Sequence, residues 1–132
     1  MNRLYTSMLA LACAAGAQAQ VIFNVLAPQN LAGTYDITWT DQAGGWGTVD
    51  MLDPANSVED TLVFVSDGTA SDSLGCETLT NGAEVSGQIA VVYRGTCEFG
   101  MKANQAQIAG ARALIIINNI PGQGPEAIPG TS

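Results

Sequence analysis

The chain contains no histidine, which removes the commonest general base and the commonest metal ligand together. A Ser-His-Asp or Cys-His arrangement is therefore impossible within it. Cations are scarce as well: four Lys and Arg stand against twelve Asp and Glu. So acidic a chain would be repelled by nucleic acid and by anionic membrane surfaces, and neither is expected as a partner. Lys102 is the only lysine, the single residue on which a Ser–Lys dyad could rest. Its position predicts instead a stem lying over apolar surface, with the ammonium in water or paired with an acid. No phosphate cradle is present either, since Gly44-Gly45-Trp46-Gly47 is not followed by a lysine and a helix. Catalysis by this chain is not expected.

No hydrophobic run is long enough to span a membrane comfortably. The apolar stretch through Leu9, Ala10, Leu11 and Ala15 follows Arg3 and precedes Ala17-Gln18-Ala19. That three-part plan predicts a secretory signal peptide over residues 1–19, cleaved after Ala19. Cys13 raises lipidation as an alternative, but Ala10-Leu11-Ala12-Cys13 places leucine poorly for it. The expected mature protein is exported, secreted and free of the membrane. Its three cations, Arg94, Lys102 and Arg112, face twelve carboxylates, a net charge of −9. It keeps two cysteines, Cys76 and Cys97, and in an oxidising compartment two cysteines are most simply one disulfide. Two thiols without a histidine could not complete tetrahedral zinc.

Hydrophobic patterning then orders the chain. Residues 21–26 (VIFNVL) read as a first strand ended by Ala27-Pro28. Residues 34–40 (TYDITWT) alternate with a period of two, which predicts a strand with one buried face. A glycine-rich loop carrying Trp46 follows, then the turn signal Asp53-Pro54-Ala55-Asn56. Residues 61–65 (TLVFV) predict a short strand, and the polar loop 66–75 leads into Cys76. Asn81-Gly82 signals a further turn. Residues 89–93 (IAVVY) are apolar on both sides, the mark of a strand covered on two faces. Phe99, Ala103, Ala106 and Gly110 recur at helical spacing, with Gly110 placed to end the helix in a left-handed conformation. Residues 113–117 (ALIII) predict a second buried strand, parallel to the first and joined to it by a right-handed crossover. Pro and Gly crowd the last dozen residues, so the sequence is expected to be part of a longer protein.

Residues 87–119, GQIAVVYRGTCEFGMKANQAQIAGARALIIINN, closely resemble the core of the protease-associated (PA) domain family. The matching residues are Gly87, Ile89, Ala90, Arg94, Gly95, Cys97, Phe99, Lys102, Gln105-Ala106, Ala109-Gly110-Ala111 and Asn118-Asn119. The resemblance implies an α/β domain over residues 20–132, in which helices pack on a partly closed sheet or barrel. It implies N-terminal strands within residues 20–66, a core over about 76–119 and a C-terminal part that is truncated. It also implies a non-catalytic accessory role: binding a peptide or protein segment, or governing substrate access, beside an attached peptidase domain.

Four residues stand out as candidate contacts. Trp46 either packs over its glycine loop or is offered to a partner. Arg94 either fixes its turn through an ion pair or a loop carbonyl, or grips a peptide carboxylate through its planar fork. Asp67 and Asp72, with Asp41, Asp50 and Asp53, raise calcium as an alternative. That ion needs six to eight converging oxygens, and the spacing fits no EF-hand loop, so no cofactor is expected. The competing readings are the N-terminal region of a secreted peptidase and a spacer in a surface or adhesion protein.

Overall fold

The computed structural model describes residues 20–40 and 49–128. The expected signal peptide, the glycine-rich loop with Trp46, Asp41 and residues 129–132 lie outside the described residues. Strand β1 (Phe23–Val25) pairs antiparallel with β2 (Gly33–Tyr35), placing Phe23 opposite Tyr35 with ring centroids 6.0 Å apart. The alternating segment is a shorter strand than its pattern predicts. Its pairing ends at Tyr35, and both Tyr35 and Trp39 are exposed. A lone two-stranded ribbon offers no core for an alternating face to bury against.

The second sheet builds the molecule. Strands β3 (Leu62–Phe64), β4 (Ile89–Tyr93) and β5 (Ala113–Ile117) are all parallel, in the order β3-β4-β5. The predicted parallel pair is thus β4 with β5, and the apolar segment at 62–64 joins it as a third strand. Ile89 to Val92 are buried, as a central strand apolar on both sides requires. Helix α2 (Phe99–Ile108) makes the crossover from β4 to β5. A single helical turn, α1 (Gly82–Val85), lies in the connection from β3 to β4, where the sequence signals only a turn. Burial of Val85 fixes it there.

One core results. Val65, Val85, Ala90, Val92 and Ala106 form it, with Val63, Leu79, Ala109, Leu114 and Ile116 packed against them. Val65, Val85 and Val92 are each at most 2% exposed, which stabilises the fold by about 1.5–3 kcal/mol per side chain. The small residues Ala106 of α2 and Ala109 at its C-cap allow the helix to lie close on the strands. Gly110 ends it at φ +84°, where a Cβ atom would also sit 3.1 Å from Ser86 Oγ. Glycine answers both requirements.

The expected partial barrel is not what the described residues form. Their five strands make two separate sheets, and neither closes on itself. Three strands at a spacing of about 4.8 Å are roughly 10 Å wide, too narrow to roll around a core. The outer edge of β3 is capped instead by Asn81, whose amide donates to the Phe64 carbonyl at 3.0 Å and accepts from the Ser66 N–H at 2.8 Å. The sheet face opposite the core carries Phe64 stacked on Tyr93 at 5.4 Å, with both rings partly exposed.

Candidate functional site

Parallel strands place their carboxyl ends on one edge, so the loops 65–76, 94–98 and 118–128 gather there. In open α/β sheets that edge is where ligands sit. Each loop here is braced by named contacts.

The first loop is folded around two carboxylates. Asp67 is 5% exposed. Its Oδ1 accepts from the Thr69 hydroxyl at 2.7 Å and the Thr69 N–H at 3.1 Å, and its Oδ2 accepts from the Cys76 N–H at 2.9 Å. Asp72 accepts from Ser66 Oγ at 2.8 Å and from the Gly68 N–H at 2.7 Å. Burial by itself raises the pKa of Asp67, but donation from Thr69, Cys76 and Glu77 outweighs it and holds the carboxyl below its ordinary value. The unfolded chain therefore binds the proton more readily. The stability Asp67 contributes is present in full above an unfolded pKa of about 3.9 and fades as pH falls through its lower folded value. Urea titrations of native protein and Asp67→Asn between pH 2 and pH 5 are expected to show this loss in native protein and a flatter acid limb in the variant.

Lys102 enters the same loop from α2. It is wholly buried: Nζ donates to the Leu74 carbonyl at 2.6 Å and lies 3.8 Å from Cys76 Sγ. Of the two expectations, an ammonium in water or one beside an acid, the first is not met: the ammonium is inside the protein, with the Asp67 charge acting on it. The reason is the reach of the side chain: the loop closing over α2 presents a carbonyl at the tip of the stem. Burial pushes the pKa of Lys102 down, and the nearby Asp67 charge only partly restores it.

Cys76 and Cys97 form the predicted disulfide, with Cα atoms 5.7 Å apart, tying the first loop to the second. The second loop is tight. Thr96 has φ +64°, and the Cys97 N–H donates across it to the Gly95 carbonyl at 2.9 Å. A β-branched residue in that region is strained, and the surrounding contacts hold it there. Arg94 fixes the third loop. Its guanidinium pairs with Glu126 at 2.5 Å, meets Asn118 Oδ1 at 3.4 Å and lies 5.9 Å from the centroid of the Phe99 ring. Asn118 Nδ2 donates to the Gly124 carbonyl at 2.8 Å, and the Thr38 hydroxyl donates to the Glu126 carbonyl at 3.0 Å.

Of the four candidate contacts, Arg94 and Asp72 lie at this edge, Asp67 is buried behind it, and Trp46 falls outside the described residues. Asp50 and Asp53 accept hydrogen bonds within their own turn, from the Leu52 and Ala55 N–H groups. Among the described residues no three Asp, Glu, Cys or His side chains converge as a metal site would require. Lys102 and Glu126 take larger parts than the sequence implies. Lys102 stands four residues before Ala106, so the alanine stripe itself marks it as inward-facing. Glu126 carries no comparable signal.

These features define an α/β module whose braced loops form one carboxyl-edge surface. The PA domain model matches residues 58–132, and the chain belongs to that family. Signal peptide peptidase-like 2 of Arabidopsis thaliana is 52% identical over 44 residues, 33% of this chain and 8% of the relative. ER degradation-enhancing alpha-mannosidase-like protein 3 of Homo sapiens is 38% identical over 71 residues, 54% of this chain and 7% of the relative. Minor extracellular protease Vpr of Bacillus subtilis (strain 168) is 33% identical over 88 residues, 67% of this chain and 10% of the relative. The matched segments thus span a tenth or less of these three relatives. No solved structure matches the chain. Among the described residues no helix is long and apolar enough to cross a membrane.

Proposed function

We propose that this chain is an exported, non-catalytic accessory module that binds an extended peptide or protein segment across the carboxyl edge of its parallel sheet. The observation that carries the reading is the bracing of three loops at that edge by the disulfide and by Arg94. Such bracing pre-organises a surface and lowers the entropy lost on binding. Two further facts support it: the chain has no histidine, and its only lysine is buried in the fold. Related segments also occur in proteins named for two different chemistries, peptidase and mannosidase-like, as expected of a module that does not itself carry the reaction. Arg94 and Asp72 are the contact residues at this edge. Asp67 shapes the surface from behind. The peptidase names favour a second reading, in which the module serves a peptidase whose catalytic domain lies beyond residue 132. A peptidase signature in the downstream reading frame would support it.

The test is a peptide array probed with the purified chain, followed by calorimetry on the best binders. Saturable binding is expected, weakened about tenfold in Arg94→Ala, with no cleavage of any peptide. Turnover that depends on residues of this chain would sink the proposal.

A further inference from the structure

We propose that the Cys76–Cys97 disulfide is a thiol-exchange site of fixed polarity, in which an incoming thiolate attacks Cys97 and Cys76 departs. The asymmetry lies in what surrounds each sulfur. The Lys102 ammonium, wholly buried, is 3.8 Å from Cys76 Sγ. A cation in contact with one sulfur stabilises the thiolate released there, and the better-stabilised thiolate leaves faster. Three other groups act on the pair. Asp67 opposes a thiolate at Cys76, but its carboxylate already accepts from Thr69 and the Cys76 N–H, whereas the ammonium touches the sulfur itself. The N-terminus of α2 favours a thiolate at Cys97, yet it amounts to roughly half a charge, and the cap residue Glu98 is an acid beside it. Glu77, exposed and next in sequence to Cys76, faces solvent that screens it. A full charge in contact inside the protein outweighs each of these.

Access is alike at the two sulfurs: Cys76 and Cys97 are both half-buried, each beside exposed residues, so the polarity rests on the Lys102 contact. In the reaction a thiolate forms a bond to Cys97 Sγ as the Cys76–Cys97 bond breaks, and the electron pair departs on Cys76 Sγ. One equivalent of a monothiol carries the reaction only to the mixed disulfide, with no net redox change; a second equivalent would complete the reduction, so the exposure is kept brief. A dithiol continues: its second thiolate attacks its own sulfur in that mixed disulfide and releases Cys97, which takes a proton from water. The dithiol is oxidised by two electrons, and the protein disulfide is reduced by two.

The full chain is exposed briefly to glutathione, quenched by alkylation and mapped by peptide mass spectrometry. Glutathione is expected on Cys97 and the alkyl group on Cys76, in a ratio of about ten to one or more. Glutathione on Cys76, or an even split, overturns the proposal. Reduction by dithiothreitol then separates this role from simple packing. Lys102→Met is expected to slow it about tenfold, and Lys102→Arg to restore most of the rate. A role in packing alone predicts faster reduction in Lys102→Met, because a loosened loop exposes the bond. An unchanged or faster rate refutes the assignment.

Discussion

Replacing Cys76 and Cys97 together by alanine is expected to destabilise the protein by about 3 kcal/mol, the entropy of closing a loop of roughly 20 residues. For a domain of about 110 residues this lowers Tm by roughly 10–15 °C. The bridge spans 21 positions and joins the loop after β3 to the turn after β4. It therefore constrains the unfolded chain and also holds two of the three carboxyl-edge loops in place. The core beneath is small, with seven buried hydrophobic residues among those described, so a loss of this size is a large share of the total. Calorimetry of the double variant checks the shift. A change under 3 °C would mean that the loops are held by hydrogen bonds alone.

Lys102→Ala is expected to cost about 3 kcal/mol, and Lys102→Met only about 1 kcal/mol, as read from urea unfolding. Alanine empties a fully buried site beside the disulfide and strips the Leu74 carbonyl of its donor. Methionine refills most of the volume and also relieves the burial of a charge, which offsets part of the lost hydrogen bond. Asp67 stays satisfied in both variants through Thr69 and Cys76. Equal losses for alanine and methionine would show that the ammonium, not the stem, is what the fold needs there. The surface pair of Arg94 and Glu126 differs in kind. Glu126 is 60% exposed, so solvent screening leaves the pair worth under about 1 kcal/mol to stability. Its consequence is where it places the third loop.

Strands β4 and β5 and helix α2 are legible in the sequence because local pattern and tertiary environment agree there. Ile89 to Val92 are apolar on both faces and are buried on both. The periodic spacing of residues 99–110 ends at a glycine that the turn requires. The disulfide is legible from the two cysteines that remain once Cys13 is assigned to the expected signal peptide and the chain to an oxidising compartment. Helix α1 is not legible: four residues carry no periodicity, and burial of Val85 decides it. The alternation at residues 34–40 misleads, because a period of two reports a face without reporting what covers it. Asp67 looks like a solvated acid in a polar loop, and only the closure of residues 66–76 over it makes it a buried hub.

The sequence by itself determined the family, the parallel strand–helix–strand core and the impossibility of histidine-based catalysis. Residue types and short-range spacing fix these, and none depends on distant contacts. Only the tertiary structure decided that three loops meet at one edge, that Arg94 reaches Glu126 and that the Lys102 ammonium lies against Cys76. The last two contacts join residues 32 and 26 positions apart. The direction of a side chain over that distance is set by packing, not by neighbours in the chain.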